Sequence, residues 1–166
     1  MSPFVPGFER KILDPNQLMK FISEGERPLV FTNGVFDILH RGHVTYLSEA
    51  KARGRSLLVA VNSDASVRVL GKGPNRPINS LADRLALLAS LSMVDWVTWF
   101  DEPTPLARIH ECHPDILVKG GDWSVDQIVG AEWVQSYGGQ VLSIPFQHER
   151  STTAILRKIR GSSDDE

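Results

Sequence analysis

Two histidines, three positions apart, end the segment Phe-Thr-Asn-Gly-Val-Phe-Asp-Ile-Leu-His-Arg-Gly-His at residues 31–43. The apolar run at 29–32 predicts a buried strand, and the periodicity of 43–53 predicts a helix. His40 and His43 would then lie at a helix N-terminus, where unpaired N–H groups and the positive end of the helix dipole attract anions. This arrangement predicts a phosphate-binding site.

Residues within the same segment refine this hypothesis. An anion held between Gly34 and the start of the helix would approach the backbone closely at Gly42, because glycine has no side chain. Asp37 could either cap backbone N–H groups or contact a cation or substrate. A His-x-x-His zinc site is a weaker alternative, because the segment lacks the i, i+4 spacing and the general-base Glu of the zinc-protease helix.

Strand-like and helix-like segments alternate along the chain and must position these residues. Predicted strands cover 29–32, 56–61, 94–100, 115–118 and 140–145. Predicted helices cover 43–53, 80–91, 104–113, 125–137 and 152–160, and residues 63–70 are expected to form a helix or a turn. Asp14 as N-cap and Pro15 at the first helical position predict a first helix before these elements. Such alternation predicts an α/β fold: a single Rossmann-like, doubly wound domain with a five-stranded parallel sheet.

Polar and glycine-rich segments follow four of the predicted strands. They are 34–43, 62–64, 119–123 and 147–153. Since the carboxyl ends of parallel strands line the ligand crevice of an open sheet, these segments should converge there. Lys119 and Arg150 would supply charge, and the hydroxyls and amides of Ser151, Thr152 and Thr153 would donate to a polyphosphate. Taken singly, each of these residues could equally be a surface charge, a turn or an N-cap.

A glycine- and proline-rich loop at residues 71–79 predicts a flexible flap over this edge. It carries Lys72 and Arg76, which could neutralise a phosphate. Arg84, in the next predicted helix, could reach the crevice, or it could pair with Asp83 or with a carboxylate one turn away.

Composition excludes several functional classes. The 166 residues carry a net charge of −2 without a basic run, which gives no support for binding nucleic acid. No apolar stretch predicts a signal peptide or a membrane span, so we expect a cytoplasmic protein without a membrane partner. The single cysteine, Cys112, excludes an internal disulfide and is expected in the core rather than as a nucleophile. The fingerprints of P-loop kinases, dinucleotide-binding dehydrogenases and serine hydrolases are absent from the sequence.

Five segments in the same order resemble one enzyme family. They are Asn-Gly-Val-Phe-Asp-Ile-Leu-His-Arg-Gly-His (33–43), Gly-Pro-Asn-Arg-Pro-Ile-Asn-Ser-Leu-Ala-Asp-Arg-Leu (73–85), Val-Lys-Gly-Gly-Asp-Trp (118–123), Ile-Val-Gly-Ala-Glu (128–132) and Arg-Ser-Thr-Thr (150–153). The first segment resembles the His-x-Gly-His signature of the nucleotidyltransferase superfamily. Together they resemble the D-glycero-β-D-manno-heptose 1-phosphate adenylyltransferases, and the resemblance covers residues 27–160.

This resemblance implies transfer of AMP from ATP to the sugar 1-phosphate, giving ADP-heptose, a precursor of lipopolysaccharide or another heptose glycan, and pyrophosphate. It implies Mg²⁺ bound with ATP, while the metal ligands stay unassigned. A separate heptose kinase and phosphatase would act upstream, since residues 1–28 are too short for a kinase domain. A homo-oligomer stays open. The alternatives are a cytidylyltransferase acting on glycerol 3-phosphate or a related phospho-alcohol, and a non-catalytic nucleotide-binding module.

The resemblance and the crevice argument assign residues to three groups. The reaction would use His40, His43, Lys72, Lys119 and Arg150. Nucleotide binding would use Asn33, Gly34, Phe36, Gly42, Gly120, Asp122, Ser151, Thr152 and Thr153, with adenine near 120–123. Substrate contacts would come from Asp37, Asn62, Asp64 and Arg76. We expect an N-terminal arm and helix at 1–27, the nucleotidyltransferase domain at 28–161 and a disordered acidic tail at 162–166.

Overall fold

The computed structural model describes residues 4–71, 73–148 and 151–161. Five parallel strands form one sheet in the order β3-β2-β1-β4-β5. The strands are β1 (Leu29–Gly34), β2 (Ser56–Asn62), β3 (Trp96–Phe100), β4 (Ile116–Gly120) and β5 (Gln140–Ile144). The helices are α1 (Leu18–Ile22), α2 (Arg41–Lys51), α3 (Asp64–Val69), α4 (Leu81–Ser90), α5 (Leu106–Cys112), α6 (Ala131–Ser136) and α7 (Thr152–Gly161). The predicted Rossmann-like fold is confirmed.

The sheet is covered on both faces, because successive side chains of a strand point to opposite sides. In β2, Val59 packs with α2 and α4, whereas Leu58 packs with α1, α5 and α6. All seven residues of β2 are buried. From β1 the chain winds outward to β2 and β3, and from β4 it winds the other way to β5. The point between β1 and β4 is therefore the topological switch point, where ligands bind in open α/β sheets.

The helix predicted at 125–137 is wrong in its first half. A short 3-10 turn covers Val125–Gln127, and α6 begins only at Ala131. Gly130 between them has φ +86°, and a Cβ there would lie 2.8 Å from Ile109 Cδ1. A left-handed residue cannot continue a right-handed helix, so the segment is broken at this glycine.

The N-terminal segment contributes to the core. Asp14 accepts a hydrogen bond from Asn16 N at 2.8 Å, but the turn it caps is a 3-10 turn, and the α-helix begins at Leu18. Leu13 is buried and its N–H donates to Val97 O in β3 at 2.8 Å. In the part of the chain that the structure describes, no helix is long and apolar enough to cross a membrane.

Candidate active site

The two histidines lie side by side at the start of α2. His40 occupies the N-cap in an extended conformation, and His43 lies in the first helical turn. Their rings are stacked, with centroids 3.8 Å apart and planes inclined by 22°. The helix thus starts earlier than position 43, which places both imidazoles against the same cavity and beside the first N–H groups of α2.

Aromatic rings fix the orientation of His43. Phe36 packs edge-on at 5.2 Å between centroids, and Phe146 packs edge-on at 6.3 Å. Phe36 has φ +48°, an uncommon conformation for a residue with a side chain, and it comes from the loop after β1. Phe146, which follows β5, is not among the predicted site residues. The only sequence signal for it is a large aromatic side chain in an otherwise polar segment after a strand.

Tyr46 joins the two central strands beneath these rings. Its hydroxyl shares a hydrogen bond with Thr32 in β1 and donates to Val118 O in β4 at 3.4 Å. Burial raises the pKa of Tyr46, against the lowering effect of the hydrogen bonds that the hydroxyl makes. The phenol therefore stays neutral, and its ring packs edge-on against Phe146 with the centroids 5.6 Å apart.

Two glycines make room for these rings. A Cβ at Gly42 would lie 3.0 Å from His40 Cε1 and Nδ1, and a Cβ at Gly120 would lie 2.9 Å from Phe146 Cζ. Both distances are well inside normal van der Waals separation. Glycine at these positions therefore leaves room for the histidine and phenylalanine rings. It would also let a phosphate approach the backbone.

A cavity of about 530 Å³ opens in front of the histidines. It is lined by His40, His43, Arg76, Phe146, Ser151, Thr152 and Thr153. The structure thus brings together residues from the loop after β1, the 73–79 loop and the start of α7. Ser151 caps α7, since its Oγ accepts from Ala154 N at 3.1 Å. No carboxylate is among the described residues that line this cavity, so its walls favour an anion.

Asp37 takes the capping role that the sequence left open. The buried carboxylate accepts hydrogen bonds from Ile78 N and Asn79 N, both at 2.9 Å, and from Arg76 Nε at 2.5 Å. Burial raises the pKa of Asp37, but these backbone donors and the guanidinium outweigh it, so the net pKa is lowered. Asp37 therefore holds the 73–79 loop, and with it Arg76, against the turn after β1.

Arg84 is fully buried and ties four segments at this edge together. Its guanidinium donates to the carbonyls of Val35 and Asn62, both at 2.8 Å, and of Asn79 at 3.1 Å. It also forms an ion pair with Asp64 at 2.7 Å. The predicted alternative of a pair with Asp83 is wrong, because that carboxylate accepts from Ser80 at the N-cap of α4.

Other predicted residues lie beside the cavity or beyond the described ranges. Asn62 donates from Nδ2 to Ser66 Oγ at 2.9 Å. Because its carbonyl accepts from Arg84, Asn62 belongs, with Asp64, to the network around Arg84. Lys119 and Gly120 end β4, and the turn after them is held by Ser143, whose hydroxyl donates to Gly121 O at 2.7 Å. Asn33 and Gly34 end β1, and Asp122 is exposed in the turn after β4. Lys72 and Arg150 lie outside the described residues.

Nucleophile and metal chemistry can be tested against the same geometry. Burial, the largest cause, raises the pKa of Cys112 to about 12, which keeps the thiol protonated. Its core position agrees with the expectation from the sequence. Within residues 4–71, 73–148 and 151–161, no group of three His, Cys, Asp or Glu side chains could hold a metal ion.

Comparison with known proteins decides the family. The model of the cytidylyltransferase-like family matches residues 31–158. The chain belongs to this family. It is therefore a nucleotidyltransferase, in agreement with the histidine pair at the helix mouth.

Two curated relatives are similar to this chain over more than 90% of its length. The chain is 57% identical over 155 residues to the D-beta-D-heptose 1-phosphate adenylyltransferase of Bordetella bronchiseptica, covering 92% of this chain and 96% of the relative. It is 53% identical over 158 residues to the bifunctional protein HldE of Pseudomonas syringae pv. tomato, covering 93% of this chain. The chain spans only 33% of that bifunctional relative.

Solved structures agree on the fold. A lipopolysaccharide core biosynthesis protein from Thermoplasma volcanium is 34% identical, with a TM-score of 0.59, and the match covers 74% of this chain and 98% of that one. The pantoate-beta-alanine ligase of Francisella tularensis has a TM-score of 0.58 at 15% identity, with coverage of 93% and 79%, and shows the shared fold alone.

Proposed function

We propose that this chain transfers AMP from ATP to D-glycero-β-D-manno-heptose 1-phosphate, releasing pyrophosphate and ADP-heptose. The observation that carries the proposal is the stacked His40–His43 pair at the mouth of α2, in a chain 57% identical to a heptose 1-phosphate adenylyltransferase. The product would feed the synthesis of lipopolysaccharide or another heptose-containing glycan. The sugar 1-phosphate must come from a phosphorylating reaction upstream.

The reaction we propose is a direct in-line displacement. A phosphate oxygen of the sugar 1-phosphate attacks the α-phosphorus of ATP, the bond to the bridging oxygen breaks, and its electron pair leaves with pyrophosphate. An ionised phosphate needs little help from a general base, so the chain has to supply position and positive charge. His40 and His43 would donate to the α-phosphoryl oxygens as negative charge accumulates there.

The remaining contacts follow from where the elements place donors. The N-terminus of α7, with Thr152 and Thr153, faces the same cavity and would bind the β- and γ-phosphates. Lys119 at the end of β4 would add charge, together with Lys72 and Arg150. Asn33 and Gly34 end β1, Gly120 ends β4, and Asp122 lies in the turn after β4. These residues would border the nucleoside.

Mg²⁺ would enter with ATP. The described residues offer no cluster of three metal-binding side chains. Mg²⁺ binds largely through the phosphate oxygens of the nucleotide and keeps several water ligands, so we assign no protein ligand to it. When bound, the ion would neutralise charge on the triphosphate. We place the reaction in the cytoplasm, a reducing compartment that suits the one free cysteine.

The proposal is tested by crossing nucleotides with acceptors. ATP, CTP, GTP and UTP are each offered with heptose 1-phosphate and with glycerol 3-phosphate, and pyrophosphate release is followed. We expect ATP with heptose 1-phosphate to give the highest kcat/KM, by a factor of about 10² or more, because buried groups left unpaired by a wrong base penalise it. If CTP with glycerol 3-phosphate gives the highest value, the chain is a cytidylyltransferase. If no pair releases pyrophosphate, it is a binding module.

A further inference from the structure

A second cavity adjoins the reaction cavity. It has a volume of about 220 Å³ and lies between residues 73–76 and one face of α7. Arg76 and Thr153 line both cavities. A ligand too long for the first cavity would therefore extend into the second.

The second cavity is positively charged. Its lining includes Arg76, Arg157 and Arg160, without an acidic residue among the described lining. This excess of positive charge is local to the cavity, since the whole chain has 20 acidic and 18 basic residues. Within the described ranges no ion pair engages Arg157 or Arg160. An anionic ligand is the partner that this charge fits.

The spacing along α7 aligns these arginines with the reaction cavity. Arg157 and Arg160 follow Thr153 by four and seven residues, so the three side chains share one face of the helix. At a rise of 1.5 Å per residue they lie roughly 6 and 10 Å beyond Thr153 along the axis. The basic face therefore continues outward from the phosphate-binding end of α7.

Arg76 forms the wall between the two cavities and is held in place. Its Nε donates to the buried carboxylate of Asp37, which also accepts from the N–H groups of Ile78 and Asn79. Because a guanidinium has five N–H donors in a rigid fork, this bond leaves its terminal nitrogens for an anion.

We propose that Arg76, Arg157 and Arg160 bind the terminal phosphate of the nucleoside triphosphate and then the departing pyrophosphate. The inference rests on the proposed nucleotidyl transfer only in requiring a triphosphate. In an in-line displacement the leaving group departs on the side of the α-phosphorus opposite the acceptor, here toward α7. The bond between the α-phosphorus and its bridging oxygen breaks, and the arginines stabilise the charge that pyrophosphate gains.

The test compares two double variants that each lose two positive charges. The site variant is Arg157→Ala/Arg160→Ala. The control is Arg55→Ala/Lys158→Ala, in which Lys158 lies on α7 but lines neither cavity, and Arg55 lines a cavity at the opposite edge of the sheet. The dissociation constant of inorganic pyrophosphate is measured by calorimetry on the full chain without nucleotide. We expect it to rise about tenfold or more in the site variant and by less than about twofold in the control.

Steady-state kinetics supply the second measurement. The KM for ATP should rise in the site variant, while the KM for the sugar phosphate stays unchanged. An unchanged pyrophosphate constant in the site variant overturns the inference, and so does an equal rise in the control, since that would reflect net charge alone. Calorimetry with pyrophosphate needs neither ATP nor sugar. A chain that prefers CTP would refute the proposed substrates and leave this result intact.

Discussion

Replacing Arg84 by methionine tests whether a buried guanidinium holds the edge of the sheet together. Methionine keeps an unbranched apolar stem of similar length, so the change removes mainly the polar contacts. Two of the carbonyls that lose their donor, those of Val35 and Asn62, accept in buried hydrogen bonds. Each deprived acceptor costs about 1–3 kcal/mol.

The groups that lose the guanidinium of Arg84 differ in whether water can replace it. Asp64 is one third exposed, so water can replace the guanidinium there, and the ion pair itself is worth about 1 kcal/mol or less. Removing the desolvation cost of the buried charge offsets part of the loss. We therefore expect Arg84→Met to lower the free energy of unfolding by about 3–5 kcal/mol, a large part of the 5–15 kcal/mol typical of a domain.

Urea unfolding followed by circular dichroism measures this difference, and Asp64→Asn is the matched control. The control should lose about 1 kcal/mol or less, because it leaves the guanidinium and its carbonyl partners in place. The reasoning fails if Arg84→Met loses under about 1 kcal/mol. It also fails if Asp64→Asn is equally damaging, since the ion pair would then dominate over the carbonyl bonds.

Three further changes test the site. His43→Ala should lower kcat for pyrophosphate release by about 10² to 10³ with a much smaller change in KM for ATP, and near-normal turnover would contradict its role. Because the folded pKa of Asp37 is lowered, its ionised carboxylate stabilises the fold above the ordinary carboxyl range, and this stabilisation is lost as pH falls through the lowered pKa. Urea unfolding of Asp37→Asn should therefore show a weaker loss of stability below about pH 4 than the unaltered chain, and equal slopes would refute this. Gly120→Ala, whose Cβ would lie 2.9 Å from Phe146 Cζ, should cost about 1–3 kcal/mol of stability and reduce kcat/KM. Phe146→Leu in the same chain should restore part of the stability, and no restoration would place the clash elsewhere.

Local patterns in the sequence predicted most of the fold. Each strand and most helices depend on the period of apolar residues over a few positions, and the N-caps Ser63 and Ser80 act within one turn. The helix at 125–137 was wrong because apolar periodicity continues through Gly130, while the left-handed backbone there depends on the close approach of Ile109. The histidine pair was equally local, since His40 and His43 share one turn of chain.

Contacts between distant segments were decided only by the tertiary structure. Asp37 and Asn79 are 42 positions apart, and Arg84 and Val35 are 49 apart, so nothing in their own neighbourhoods indicates the pairing. Phe146 reaches His43 only because β5 pairs with β4, which in turn lies next to β1. The sequence by itself determined most of the segments that form strands and helices and which residue types stand at their ends, since propensity and periodicity act between neighbours. Which donor meets which acceptor depends on strand order, because the pairing of strands brings remote residues within hydrogen-bond distance.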